Sequence, residues 1–370
     1  MRIAFICKRH YTGRDVLGDR FGRLYELPLQ LSLRGHDVMC LIADYYGNRD
    51  EVVAHEVPAG SLQWRSFSFS GPRVVSLARH PARILSTLRS FRPNLIIGAS
   101  DIPNITLAGW AAHRLKVPSV TDLYDDFTSF GQARIPGFKT ALGRSARSSN
   151  LIIAVSETLK QVTIDTWKPE CDIVVIPNGV DTEIFREMPT TKCRKHFMLP
   201  ESALLVGTAG GLYGSKGLKT LYSAWEELKT MHADIHLVLA GPHRPSEPPP
   251  SGERIHYLGN LPQREVSILI NALDVAVATA EDNAFGRSCF PQKAYEIIAC
   301  KTPIAAAKVG ALGHVLVDHP AQLYTAGSAE SLAQCIARQL ENKAAPDIPV
   351  LRWSQAGELL DKHIASLASG

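Results

Sequence analysis

Apolar positions recur along this chain in two alternating rhythms. Short runs of Ile, Val, Leu and Ala, each about one strand long, alternate with stretches in which apolar residues return every three or four positions. In the first half the runs predict strands over Arg2–Cys7, Asp37–Ala43, Asn94–Gly98, Ser119–Leu123, Leu151–Val155 and Ile173–Ile176. The helix after the first strand is expected over Gly22–Arg34, with Leu24, Leu27, Pro28 and Leu31 facing inward and Gly35 as its stop. Ser156 should cap a helix running to Trp167.

The rhythm then restarts. Strands are predicted at Leu204–Thr208, His236–Ala240, Ile255–Leu258, Asp274–Thr279 and Pro303–Ala306. Between and after them, helices are predicted at Leu218–Met231, Gln263–Ala272, Gln292–Cys300, Ala329–Leu340 and Ser354–Leu367. Pro291 falls at the first turn of its helix, where a missing N–H costs nothing. Such alternation argues for parallel sheets with crossover helices, built twice over. The expected class is α/β, with domains at 1–178 and 179–350 and a closing helix at 351–370 that returns to the first domain. Two such sheets facing each other would leave a cleft, with ligands beyond the carboxyl ends of the strands.

Composition narrows the class without changing it. With 370 residues, 45% hydrophobic and 21% charged, the chain has room for two cores and does not read as disordered. No apolar run approaches the roughly 18 residues that span a bilayer, and the opening Met1–Lys8 is too short for a signal segment. The seven cysteines form no C-x-x-C, so neither zinc nor a disulfide framework is indicated, and a cytoplasmic location fits. Charge is uneven: through Asn178 there are 22 Lys and Arg against 16 Asp and Glu, and the excess disappears afterwards. Arg73, Arg79, Arg83, Arg89 and Arg92 alternate with Val74, Val75, Leu77, Ile84, Leu85 and Leu88. That pattern reads either as a basic amphipathic helix touching an anionic inner membrane face or as an ordinary solvated helix face.

Candidate chemistry is concentrated in the second half. The turn Thr208-Ala209-Gly210-Gly211-Leu212-Tyr213-Gly214-Ser215-Lys216-Gly217 opens a helix. A helix start disfavours a cation unless an anion is bound there, and helix N-termini collect phosphate. Lys216 is therefore a candidate phosphate cation, with Gly210 and Gly211 letting backbone come close. The plainer reading is an exposed turn with an incidental lysine. Glu296 lies inside a helix beside buried Ala294, Ile297 and Ile298, and its carboxylate suits vicinal hydroxyls. Its plainer reading is a surface pair with Lys293, worth about 0.2–0.5 kcal/mol. The loop Glu281–Ser288 offers Phe285, Gly286, Arg287 and Ser288 to the same side, and its acids lack metal-ligand spacing. In the first half, His10, Arg14 and Asp19 follow strand one, and Tyr124 and Asp125 follow the strand at Ser119–Leu123. No G-x-G-x-x-G accompanies them, which disfavours a dinucleotide there.

Together these pieces resemble a known family. Met1–Ile6 followed by Leu33-Arg34-Gly35-His36-Asp37-Val38 looks like the opening of a GT-B glycosyltransferase. Val175-Ile176-Pro177-Asn178-Gly179-Val180-Asp181 is similar to the interdomain signature of the family-4-like retaining glycosyltransferases. Ser215-Lys216-Gly217, Leu239-Ala240-Gly241 and Pro291-x-Lys293-x-x-Glu296-x-x-Ala299-x-x-Pro303 follow in the family's order. The resemblance implies two Rossmann-like domains facing across a cleft, the first binding an acceptor and the second a UDP- or GDP-type nucleotide sugar. It implies transfer to an acceptor hydroxyl with retention, without metal or further cofactor, in glycan (polysaccharide), glycolipid or natural-product biosynthesis. No nucleic acid partner is expected. By position, Lys216 would hold the diphosphate and Glu296 the ribose, with Gly210, Gly211, Phe285, Gly286, Arg287 and Ser288 around the donor. Lys216 and Asp125 would be the catalytic pair, and His10, Arg14, Asp19, Tyr124 and Asp125 would face the acceptor.

The chain departs from the family pattern at three places. Gly211 stands where an arginine is common, Ser288 where a second glutamate is common, and Tyr124-Asp125 where a histidine is common. A nucleotide-sugar epimerase on the same fold, or a degenerate sugar-binding subunit, remains an alternative reading.

Overall fold

The computed structural model describes residues 1–11, 13–47, 50–69, 72–129 and 131–368. The side chain of Arg73, one of the arginines of the basic pattern, lies outside the described set. The chain divides into two compact units, Met1–Gly179 with Leu351–Gly370, and Val180–Val350.

In the first unit the strands are β1 (Arg2–Lys8), β2 (Asp37–Asp44), β3 (Glu51–His55), β4 (Ser61–Ser68), β5 (Leu95–Ala99), β6 (Ser119–Leu123), β7 (Leu151–Ala154) and β8 (Asp172–Val175). Among the described residues they form one sheet in the order β8-β7-β6-β5-β1-β2-β4-β3. All pairs are parallel except β3 with β4. The central strands are buried on both faces, and every residue of β5 and β6 is buried, polar Thr121 and Asp122 of β6 included, as a sheet covered by helices requires. The β3–β4 edge is absent from the sequence-based expectation. In β4 only Leu62 and Trp64 alternate cleanly with Gln63 and Arg65 before Ser66 and Phe67 break the period. The helices Ile102–Leu115 and Phe138–Ser148 are likewise additions.

The expected basic helix forms at Arg73–Phe91, but it divides into two parts. Ile84, Leu85 and Leu88 are buried in the unit's core, whereas Val74 and Leu77 are 80% and 55% exposed. Arg83 pairs with Asp50 and lies over the Phe67 ring, while Arg79, Arg89 and Arg92 are exposed. At the other end of the chain, the helix Trp353–Ala365 packs on Arg23–Leu33. Gly357 leaves no room for a Cβ against Gln30, and His36 Nε2 meets Asp361 at 2.7 Å.

The second unit repeats the plan with β9 (Leu204–Ala209), β10 (Ile235–Ala240), β11 (Ile255–Tyr257), β12 (Val275–Ala278), β13 (Ile304–Ala307) and β14 (Leu323–Tyr324). Their order among the described residues is β11-β10-β9-β12-β13-β14, all parallel. The helix Leu218–Met231 buries Leu218, Leu221, Trp225 and Leu228, the face its spacing predicts. Strand order reverses at β9 and β12, and ligand sites of open parallel sheets form at such reversals.

Candidate functional site

At the carboxyl end of β9 the chain does not pass directly into a helix. Gly210 donates its N–H to Ala240 O at 2.9 Å, and Leu212 donates to Pro242 O at 2.8 Å, so the turn runs alongside the segment after β10. The amide of Gly210 is therefore already engaged. Gly211's N–H has no partner among the described residues, and its Cα lies against the Tyr213 ring. Gly210 adopts φ 117°, which other residues avoid. Lys216 closes a single 3-10 turn, Gly214–Lys216, two residues before the helix Leu218–Met231. Its ammonium lies 5.9 Å from the centre of the Tyr213 ring, and the Arg244 guanidinium lies 5.6 Å from the same ring.

The helix Gln292–Ala299 brings the second half of the site. Lys293, read from sequence as Glu296's surface partner, instead reaches inward. Its Nζ donates to Thr208 Oγ1 at 3.0 Å, and Thr208 Oγ1 in turn donates to Val277 O at 2.7 Å. Part of the side chain meets solvent while its ammonium is enclosed by protein. Burial, then the neighbouring Lys216 charge, lower this lysine to about 8, and Glu296 acts in the opposite direction. Lys216 and Glu296, eighty residues apart in sequence, thus both act on one ammonium. Glu296 lies one turn along the helix, where Gln292 Nε2 donates to its Oε1 at 3.4 Å.

The 281–288 segment forms a short helix, Ala284–Ser288, capped by the Asn283 side chain. It is brought near the turn, since a Cβ on Gly217 would stand 3.2 Å from Ala280 O. Within it the expected donor groups are differently employed. Ser288 is buried and donates to Ala284 O at 2.7 Å. Gly286 has no space for a Cβ against Glu281 O, which gives that glycine a packing reason. Arg287 is held in an exposed pair with Asp282 at 2.6 Å, and Phe285 is 36% exposed.

In the first unit, the residues after β1 form a hairpin, His10–Tyr11 with Arg14–Asp15. His10 meets the edge of Tyr46 and lies 3.7 Å from Asp44. Arg14 lies over Phe21, and Asp19 accepts the Asp15 N–H at 2.8 Å. Tyr124 is buried, with its hydroxyl donating to Ser100 O at 3.1 Å and its ring against Tyr11 and Phe127. That makes Tyr124 a packing residue, contrary to its expected place facing an acceptor. Asp125 is partly exposed, and burial pushes its carboxyl up to about 6, opposed by the Asp126 N–H that donates to it at 2.9 Å and by Lys8, while the Asp126 charge adds to the rise.

Two features escaped the sequence reading. Lys293 was in plain view inside the Pro-x-Lys-x-x-Glu motif, and its position one turn before Ile297 on a half-buried face was the available signal. Arg23 and Asp122 form a buried ion pair below the strand ends, with no local pattern to announce it. Among the described residues, no group of three His, Cys, Asp or Glu is placed to hold a metal, and no helix is long and apolar enough to cross a membrane.

Comparison with known proteins covers both units. Residues 23–184 match the family model for Glycosyltransferase Family 4, and residues 203–342 match that for Glycosyl transferases group 1. TuaC of Bacillus subtilis (strain 168), a glycosyltransferase assigned to teichuronic acid biosynthesis, is 24% identical over 306 residues, or 79% of this chain and 75% of that protein. The structure of sucrose-phosphate synthase from Thermosynechococcus elongatus aligns with TM-score 0.72 at 18% identity, over 100% of this chain and 96% of that one. HepE of Anabaena, solved in complex with UDP-glucose, aligns with TM-score 0.67 at 18% identity, over 100% and 97% of the two chains.

Proposed function

The chain belongs to the family-4-like glycosyltransferases and has their GT-B fold, and on that premise we propose that its second unit binds a nucleoside-diphosphate sugar. The observation that carries this reading is the convergence at the ends of β9 and β12. A glycine-rich turn with an open amide, two lysines and a helix-borne carboxylate meet there. Lys216 and the Gly211 amide face the diphosphate, and Glu296 accepts the ribose hydroxyls. A UDP-type donor is favoured, because HepE, with the same fold, is seen with UDP-glucose.

The sugar leaves the diphosphate and is joined to an acceptor hydroxyl on the same face, with retention. The bond from the anomeric carbon to phosphate oxygen breaks, that to the acceptor oxygen forms, and the acceptor proton passes to the departing phosphate. Cations and backbone dipoles that stabilise developing phosphate charge need no metal to do so. Asp125, raised toward neutrality, is assigned to the acceptor side. A transfer assay should therefore keep its rate in EDTA and yield a product with the donor's anomeric configuration by NMR. Loss of activity restored by magnesium or manganese, or an inverted product, would count against this.

The donor site is tested by Glu296→Gln, which keeps shape and removes charge. Binding of UDP and of uridine should both weaken, by about 1.5–3 kcal/mol, while pyrophosphate binding is spared. Unchanged uridine affinity in a folded variant would remove Glu296 from the site.

Exposed Val74, Val75 and Leu77 beside Arg79 also support peripheral contact with an anionic membrane surface, as a glycolipid acceptor would require. Vesicles rich in phosphatidylglycerol should sediment the protein, and Val74→Asp with Leu77→Asp should abolish this. Equal sedimentation with neutral vesicles would contradict the assignment.

A binding-only role is the second reading. It is favoured by Ser288, whose hydroxyl is spent on its own helix at the position where the family often has a carboxylate. Normal donor affinity with neither transfer nor hydrolysis would support it.

A further inference from the structure

Two cations approach each other at the end of β9, and both are placed against the local electrostatics. Lys293 is the second residue of the helix Gln292–Ala299, and Lys216 stands two residues ahead of the helix Leu218–Met231, separated from it by Gly217. The first turn of a helix carries the positive end of its dipole, so each ammonium is disfavoured where it stands. Each also disfavours the other. The charged groups acting on Lys293 are Lys216 from the glycine-rich turn and Glu296 from its own helix. An arrangement of this kind is relieved by a bound anion that carries more than one charge.

The remaining geometry shows where that anion would lie. An ammonium has three donors, and Thr208 Oγ1 takes one of them at 3.0 Å. Thr208 spends its own hydrogen on Val277 O, so it serves Lys293 only as an acceptor and fixes the direction of the side chain. The end of Lys293 then lies beside the backbone of the turn, where a Cβ on Gly210 would come within 3.4 Å of Cε and 3.5 Å of Nζ. Gly210 leaves that space open. The turn itself, Thr208–Gly217, supplies one cation, Lys216.

We propose that Lys293 is the second cation of the diphosphate subsite, reaching the same phosphates as Lys216. This rests on the reading of that turn as a nucleoside-diphosphate site. It has a consequence that a merely structural lysine would lack. The empty site holds Lys293 at about 8, and a bound diphosphate stabilises its charged form. As pH rises through about 8 the empty protein progressively loses this proton, so binding takes one up and diphosphate affinity falls over that range.

Calorimetric titration with UDP, GDP and inorganic pyrophosphate, in two buffers of different ionisation enthalpy and on both sides of pH 8, tests this. In the unaltered protein, the proton uptake contributed by Lys293 should approach one per diphosphate above that pH and shrink toward zero below it. Lys293→Gln should abolish this contribution and weaken pyrophosphate and nucleoside diphosphates by about tenfold to a hundredfold, with uridine and guanosine unaffected. Lys293→Arg should keep most of the affinity and lose the uptake. If Lys216→Ala weakens the diphosphates but Lys293→Gln leaves both affinity and uptake unchanged, the second-cation assignment falls and the donor-site reading stands. If neither change matters, or the unaltered protein binds none of the three probes, the donor-site reading falls and takes this assignment with it.

Discussion

Replacing Lys216 by Ala should lower sugar transfer by about two to three powers of ten, the loss usual when one preorganised charge-stabilising donor is removed. The substitution should leave the fold intact. Lys216 is a cation just ahead of a helix N-terminus, and its one ring contact, with Tyr213 at 5.9 Å, is loose. Removing it relieves an unfavourable dipole interaction, so thermal stability of the empty protein should hold or rise slightly. Steady-state kinetics with Tm measured on the same preparation separates the two effects. Unchanged turnover, or a collapse of stability, would show that the turn is only structural.

The second large effect concerns stability. Arg23 is fully buried and fixes three parts of the first unit at once. Its Nε reaches both Asp122 oxygens at 2.9 and 3.0 Å, and its Nη2 reaches Oδ1 at 2.8 Å. Its Nη1 donates to Ile176 O at 2.9 Å and Asn178 Oδ1 at 3.1 Å, where the chain leaves the first unit. Arg23→Met would strand the Asp122 carboxylate in the core and should cost about 3–5 kcal/mol. Adding Asp122→Leu should recover most of that loss, because an apolar pair can replace a buried ion pair at little cost. Thermal unfolding followed for the single and double variants measures both. A single variant as stable as the parent, or a double variant worse than the single, would contradict this account of the pair.

How much could be read from sequence alone depended on how local each cause was. The helices Leu218–Met231 and Gln263–Ala272 lie where the apolar period places them, because burial of one face is written in the residues themselves. The edge strand β3 and its neighbour β4 were missed because pairing with neighbouring strands, not a clean alternation, makes them strands. Lys216 could be picked out because a cation before a helix is a local oddity, whereas Glu296, an ordinary helix residue by spacing, was marked only by the family resemblance. Lys293 was misjudged for the opposite reason. Spacing made it a surface partner of Glu296, and only the fold brings Thr208, eighty-five positions away, to its ammonium. Tyr124 and Gly210 show the same limit: their donors are spent on Ser100 and Ala240, carbonyls that only the assembled sheet brings near.

If a nucleoside diphosphate lies across the second unit with its phosphates on the glycine-rich turn and its ribose on Glu296, a crystal structure with bound UDP measures that most directly. Phosphate oxygens are then expected within hydrogen-bond distance of the Gly211 amide and the Lys216 ammonium, with the ribose hydroxyls on the Glu296 carboxylate. UDP lodged elsewhere on the molecule, or seated on the turn with its ribose away from Glu296, would contradict it.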